Sequence, residues 1–112
     1  MKNAFKVVQS MGGNTKRLGY GYLAQAAELI VGRGEYPLKK LEKEIYGPIA
    51  AMKGMKAEHV AREVARAVEE IWDHGNRERL EEILERKVLA KPSPGEMILG
   101  LALFIMKDEE DS

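Results

Sequence analysis

Apolar residues recur along this chain at the three- and four-residue intervals that place side chains on one face of an α-helix. No segment alternates β-branched with polar residues over a useful length, which is the pattern of a half-buried strand. We therefore predict an all-α fold: a compact bundle of six or seven helices in a single domain over residues 1–112. Glycine and proline punctuate the helical segments.

The first two predicted helices flank a glycine pair. Asn3 is a candidate N-cap for the first helix, and Thr15 is the predicted start of the second. Residues expected to point inward are Ala4, Val7, Val8 and Met11, then Leu18, Tyr22, Leu23, Ala26, Ala27 and Ile30. Gly19 and Gly21 each cost about 1 kcal/mol in a helix relative to alanine, so we expect close backbone packing at both.

A third helix is predicted over residues 37–46, with Pro37 in its first turn and Gly47-Pro48 ending it. Its inward residues are Leu38, Leu41 and Ile45. A helix-turn-helix is then predicted at about residues 48–73, with its turn at Gly54. The long second helix has one apolar stripe, formed by Ala57, Val60, Ala61, Val64, Ala67, Val68, Ile71 and Trp72.

The match to the helix-turn-helix pattern is partial. Ala50 supplies the small residue four positions before the turn, but Lys53 and Glu63 stand where apolar residues are usual. Lys56 is also a poor N-cap for the long helix. An ordinary helical hairpin is the alternative interpretation.

Two further helices are predicted towards the end of the chain. Gly75 is expected to adopt positive φ after the long helix, and an exposed helix follows with Leu80, Ile83 and Leu84 inward. Glu82 and Arg86 are expected to pair at i, i+4. The last helix, 94–107, begins with a capping box of Ser93 and Glu96 around Pro94, and residues 108–112 are predicted as an acidic disordered tail.

Charge is distributed unevenly along a chain whose net charge is zero. Residues 1–66 carry twelve Lys and Arg against six Glu, a net +6, whereas residues 67–85 carry two Arg against seven acids, a net −5. A polarised molecule can place one basic face on phosphate groups while it stays neutral overall.

The outward side of the long helix has the residues that duplex DNA would require. Arg62 lies in the N-terminal half, where it could donate a bidentate pair to guanine, and Arg66, one turn later, is better placed for phosphate. The candidate DNA-binding residues are Arg62, Arg66, His59, Glu58, Lys56 and Lys53, with Lys39, Lys40 and Lys43 extending the phosphate-binding surface. Ordinary solvated charges are the alternative, above all for the lysines.

Other kinds of site find little support. There are no cysteines, and His59 and His74 are too few and too far apart for zinc. No catalytic constellation is present, so we predict a protein that is not an enzyme and needs no metal or cofactor. The longest apolar run, "MILGLALFIM", is too short to span a bilayer, and the N-terminus lacks the apolar segment of a signal peptide. We predict a cytoplasmic protein without membrane association.

Three segments carry a resemblance: "LGYGYLAQAAELIV", "LEKEIYGPIAAMKGMKAEHVAREVARAVEEIWDHGN" and "AKPSPGEMI". The chain resembles the C-terminal effector domain of the master sporulation response regulator of endospore-forming bacteria over about residues 10–107. The spaced residues that make the likeness specific are Trp72, Gly75, Asn76, Lys91, Pro92 and Glu96. The resemblance implies an all-helical DNA-binding domain that recognises tandem short promoter boxes, with double-stranded DNA, the RNA polymerase sigma factor and a second copy on tandem sites as partners.

By position, Arg62 matches a base-reading arginine of that family, and Arg86, Lys87 and Lys91 lie near its polymerase-contacting region. The other contact positions depart from the family. They are Glu58 for a small hydroxyl residue, His59 for an arginine, Ala61 for an acid, Ala65 for an arginine and Arg66 for a histidine. The family's receiver domain has no counterpart, which suggests an excised domain or a stand-alone relative.

The sequence is therefore consistent with two functions. The first is a sequence-specific transcription regulator whose helix 57–73 enters the major groove. The second is a degenerate relative that has lost DNA binding and acts as a protein-interaction module towards a sporulation regulator or RNA polymerase.

Overall fold

The computed structural model describes residues 3–34 and 40–111, with the backbone alone for 108–111. Within these ranges the chain forms six α-helices and a π-helical segment, Glu42–Tyr46, but no strand. The helices are α1 Ala4–Ser10, α2 Leu18–Arg33, α3 Gly47–Lys53, α4 Ala57–His74, α5 Arg77–Leu84 and α6 Pro94–Asp111. The predicted all-α bundle is confirmed. In this described part, no helix has both the length and the apolarity needed to cross a membrane.

Helix α2 lies at the centre of the bundle, packed against α1, α4 and α6. The apolar stripe of α4 lies against it as predicted, with Val60, Val64, Ala67, Val68 and Ile71 buried. Ala57, Ala61 and Trp72 border this stripe and are half-buried. Burial of the stripe fixes which side of α4 faces solvent.

Gly19 brings α2 and α4 together. A Cβ at this position would overlap the carbonyl oxygen of Glu63 and would lie 2.7 Å from the Cβ of Ala67. The prediction of close packing is therefore confirmed at Gly19, but it is wrong at Gly21, where a Cβ would have no neighbour within 4 Å. Leu18 is also not the inward residue predicted: it is 60% exposed, because it is the first residue of α2 and Gly19 takes the position facing α4.

Helix α2 begins three residues later than Thr15, the predicted start. The side chain of Asn14 accepts a hydrogen bond from the Lys16 N–H at 3.2 Å, and the Asn14 N–H donates to Glu70 Oε2 at 2.9 Å. These bonds hold the segment in a turn that competes with helix formation. Asn3, by contrast, caps α1 as predicted, accepting from the Lys6 N–H at 3.1 Å.

Gly75 ends α4 for a reason different from the predicted one. Its φ is −88°, so no left-handed conformation is needed. Instead, a Cβ would overlap the Met11 carbonyl oxygen and lie 2.5 Å from that of Ile71. The next residue, Asn76, donates its N–H to the Met11 carbonyl at 2.7 Å and then caps α5 through its side chain. Because Gly75 has no side chain, the C-terminal ends of α1 and α4 can touch.

Gly47-Pro48 does not interrupt the helix, contrary to the prediction. The π-helical segment continues directly into α3, and the Gly47 N–H donates to the carbonyl of Glu42. Proline lacks an N–H and clashes with the carbonyl four residues earlier in an α-helix, whereas a π-turn shifts that carbonyl. Leu41 and Ile45 pack inward as expected, while Pro37 and Leu38 lie outside the described residues.

The last helix begins with the predicted capping box. The Glu96 N–H donates to Ser93 Oγ at 3.1 Å, and the Ser93 N–H donates to Glu96 Oε1 at 3.3 Å. The predicted end at residue 107 is wrong, since the backbone stays helical to Asp111, through the segment expected to be a tail. That segment consists of two aspartates, two glutamates and a serine, and it has no glycine or proline to stop a helix.

Candidate nucleic-acid interface

The turn between α3 and α4 is built on Gly54. Its φ of 66° and ψ of 35° are left-handed, a conformation that costs side-chain-bearing residues about 1–2 kcal/mol. Directly after it, the Met55 N–H donates to the Ala50 carbonyl at 3.0 Å. Ala50 itself is buried, as is Val60 on α4, so the two helices pack where the helix-turn-helix pattern requires. Lys56 precedes α4 without a side-chain capping bond, as expected.

Glu63 explains how an acid can stand at a usually apolar position. Its residue is 9% exposed, and its carboxylate accepts a hydrogen bond from Arg66 Nη1 at 3.0 Å. A buried carboxylate is tolerated only when it is paired, and Arg66 supplies the partner from the next turn. Lys53, the other irregular position, is exposed and disturbs no packing. Both irregular positions are thus compatible with the packing of α3 against α4 across the Gly54 turn.

Arg62 is exposed on the outward side of α4. It has no ion pair or side-chain hydrogen bond with any described residue, and neither has Glu58 one turn earlier. Arg66 differs, because its guanidinium is shared with Glu63, although its side chain is still 56% exposed. Arg62 therefore offers all of its donors to solvent or to a ligand.

His59 does not stand free on the outer side of α4. Its ring meets that of Tyr22 edge-on, with the centroids 6.4 Å apart and the planes at 74°. Tyr22, a residue of the buried face of α2, also donates its hydroxyl to Met55 Sδ at 3.3 Å. The sequence places Tyr22 inward by helical spacing, but nothing in the sequence indicates these two contacts.

The two halves of α4 carry opposite charges on their outward side. Glu69, Glu70 and Asp73 follow Arg66, and they line a polar cleft of about 490 Å³ with Arg17, Arg66 and His74. Arg17 Nε lies 3.4 Å from Glu70 Oε1 in this cleft. A polyanion would be repelled from this acidic half. Any phosphate-binding role of α4 is thereby confined to its first two or three turns.

Several lysines lie beside the start of α4. Lys53 and Lys56 flank the turn, and both are exposed. Lys40 and Lys43 of the segment before α3 line a shallow cleft that includes Ala57, the first residue of α4. Lys39 lies outside the described residues. Glu42 lines the same cleft and Glu58 lies in the first turn of α4, so acidic residues offset part of this positive charge.

The three residues near the predicted polymerase-contacting region lie in the segment that connects α5 with α6. Arg86 pairs with Glu96 at 3.0 Å rather than with Glu82, whose partner is Arg79 at 2.6 Å. Lys87 Nζ lies 3.6 Å from Glu81 Oε1, and Lys91 is exposed. A hydrogen bond from the Val88 N–H, assisted by Lys87, lowers the pKa of the Glu81 carboxyl.

Trp72 lies at the border of the bundle rather than in its centre. It is half-buried, and the Arg77 guanidinium covers its ring at 3.4 Å from the centroid. The sequence predicts a core anchor from the apolar stripe, but the end of α4 reaches the surface. His74 lies in the polar cleft at this end, and the described residues contain no grouping of three potential metal ligands.

Comparison with known proteins identifies the family of the chain. A search of curated proteins returned no match. The family model described as "Sporulation initiation factor Spo0A C terminal" matches residues 4–105, which is nearly the whole described fold from α1 into α6. It includes the helix-turn-helix, the Gly75 junction and the capping box. The chain belongs to this family, whose members are DNA-binding effector domains of sporulation transcription regulators.

Proposed function

We propose that the protein is a sequence-specific transcription regulator that inserts the N-terminal half of α4 into the major groove of DNA. The observation that carries the proposal is Arg62: it projects from the second turn of α4, is exposed and has no partner among the described residues. Recognition helices contact base edges through their N-terminal residues, and a free guanidinium matches guanine O6 and N7.

The neighbouring charges suit phosphate contacts. Lys53 and Lys56 beside the turn would hold the backbone of one strand, and Arg66 would reach it while also pairing with Glu63. Phosphate contacts fix the orientation of a protein on the duplex without reading its sequence. The acidic second half of α4 would then lie outside the groove.

The test is an NMR titration of the 15N-labelled protein with a duplex of random sequence at low salt. We expect shifted amide signals to cluster from Lys53 to Arg66, and the affinity to fall steeply as salt is raised. Shifts confined to α5 and α6, or no binding at low salt, would reject the proposal. Those outcomes would favour the second candidate function.

The second candidate is a protein-interaction module that has kept the fold without DNA binding. The residues that favour it are Glu58, Ala61 and Ala65, which depart from the family pattern on or beside the outward side of α4. In that case the surface of Arg86, Lys87 and Lys91 would bind a protein such as the polymerase sigma factor. Pairing of two copies on tandem boxes belongs to the first candidate function.

Glu58 is expected to increase discrimination at the expense of affinity. Its carboxylate is exposed one turn before Arg62 and has no partner among the described residues, so in the groove it would repel phosphate unless it accepts from cytosine N4. We expect Glu58→Gln to bind random duplex about 3–10-fold more tightly, since one repulsive charge is removed. Competition binding between a duplex that the protein prefers and a random duplex measures both affinities. If the ratio of these affinities is the same for Glu58→Gln as for the parent, the prediction is contradicted.

A further inference from the structure

Tyr22 connects the interior of the bundle with both parts of the candidate DNA interface. Tyr22 lies on α2 and is 5% exposed. Its hydroxyl donates to Met55 Sδ in the turn, at 3.3 Å, and its ring contacts the imidazole of His59 on α4 edge-on. The buried side chain of Tyr22 thus contacts both the turn and helix α4.

These contacts have a consequence for how His59 can act. A histidine on an open helix surface samples several rotamers, and binding DNA would then require one to be selected. An aromatic neighbour at this distance favours one ring orientation by about 2–10-fold, the range measured for aromatic pairs. In the free protein His59 therefore already favours the orientation in which its ring meets Tyr22, unlike the long and unpartnered side chain of Arg62.

The position of Tyr22 on α2 makes this support rigid. Gly19, one turn earlier, is in backbone contact with α4, and both Leu23, next to Tyr22, and Ala26, one turn later, are fully buried. Tyr22 therefore stands on a helix whose position against α4 is fixed by a close backbone contact. Met55 receives the hydroxyl bond at the point where the chain enters α4, so the same side chain also restrains the turn.

We propose that Tyr22 is a positioning residue for DNA recognition, which holds His59 in a defined orientation for a contact in the groove. The proposal rests on the proposed DNA-binding function. Tyr22 touches no DNA, and its effect on binding passes through His59 and, to a lesser degree, through Met55.

A double-mutant cycle tests this proposal. Tyr22→Leu, His59→Ala and the double variant are compared for binding to a duplex that the parent selects and to a random duplex. We expect Tyr22→Leu to weaken binding to the selected duplex, and the same change to cost about 2–10-fold less when His59 is already alanine. Binding to the random duplex should change little. Tyr22→Phe keeps the ring, so it should retain most of the affinity.

Several results would overturn the proposal. Strictly additive losses would mean that Tyr22 does not act through His59, and equal losses on both duplexes would indicate a purely structural role. Suppose that the parent binds the selected duplex and that Arg62→Ala weakens this binding, but that the cycle is additive. Then the DNA-binding function stands and only the Tyr22 proposal fails. A parent protein that binds no DNA removes both proposals together.

A second measurement applies if Tyr22→Leu does not fold. In the parent and in Tyr22→Phe, the ring protons of His59 should show an aromatic ring-current shift and nuclear Overhauser contacts to residue 22, both free and bound to the selected duplex. Loss of these contacts in the complex would overturn the proposal.

Discussion

Gly19→Ala is expected to lower the free energy of unfolding by about 3 kcal/mol, the upper part of the usual range for overpacking. The new Cβ would overlap the Glu63 carbonyl oxygen and would lie 2.7 Å from the Ala67 Cβ. The first of these atoms belongs to the backbone of α4, so no side-chain rotation can relieve the contact. Relief requires α2 and α4 to move apart, which opens the centre of the core. Urea denaturation followed by circular dichroism measures the change.

Gly21→Ala is the matched control two residues further along the same helix. A Cβ at this position has no neighbour within 4 Å, so the substitution should raise the free energy of unfolding by about 0.5–1 kcal/mol through helix propensity alone. The two variants are thus expected to change stability in opposite directions. Similar effects from both would show that α2 and α4 are not in close backbone contact at Gly19.

Arg62→Ala is expected to weaken binding to the preferred duplex by about 10–100-fold, the equivalent of one bidentate base contact. Because the Arg62 side chain has no partner among the described residues, its removal should alter the free energy of unfolding by less than about 0.5 kcal/mol. Fluorescence anisotropy with preferred and random duplexes, alongside urea denaturation, separates the two effects. The loss should be far smaller on the random duplex.

Two further variants sharpen this test. Arg62→Lys keeps the charge but not the planar pair of donors, so it should retain affinity for random duplex and lose most of the preference. Arg77→Ala removes the same charge at the far end of α4, where the guanidinium lies over Trp72, about 15 Å from Arg62 by the helical rise over ten residues. Loss of this guanidinium should leave DNA binding within about twofold of the parent. A loss as large as that of Arg62→Ala would mean that overall charge, and not Arg62, governs binding.

Much of the fold follows from local signals in the sequence. The stripe on α4 and the caps at Asn3 and Ser93 were predictable because spacing and capping chemistry act within a few residues. The left-handed turn at Gly54 belongs to the same class. The all-α fold could therefore be predicted from these signals, whereas the family was predicted from the resemblance of three segments of the chain.

Features that depend on one particular partner or on an irregular backbone could not be predicted. Gly75 is required by the carbonyl of Met11, a contact between opposite parts of the chain, and not by its own backbone conformation. The buried Glu63 reads as a mismatch until Arg66 is seen beside it. Pro48 reads as a helix end, although the preceding π-turn accommodates it.

The candidate site shows the same division. The outward side of α4 was predictable, because the opposite side is so clearly apolar. Which of its residues are free for a ligand was not, since this depends on the partners of each side chain. Among Arg62, Arg66 and His59, Arg62 alone has no partner in the described structure, whereas the others contact Glu63 and Tyr22.

Selection of bound sequences from a pool of random duplex DNA, carried out in parallel with the parent and with Arg62→Ala, tests DNA reading by α4 most directly. The parent should enrich a short motif with an invariant guanine, and Arg62→Ala should lose the preference at that base pair while the rest of the motif persists. An identical motif from both proteins, or no enrichment by a folded parent, would contradict the assignment of α4 as the reading helix.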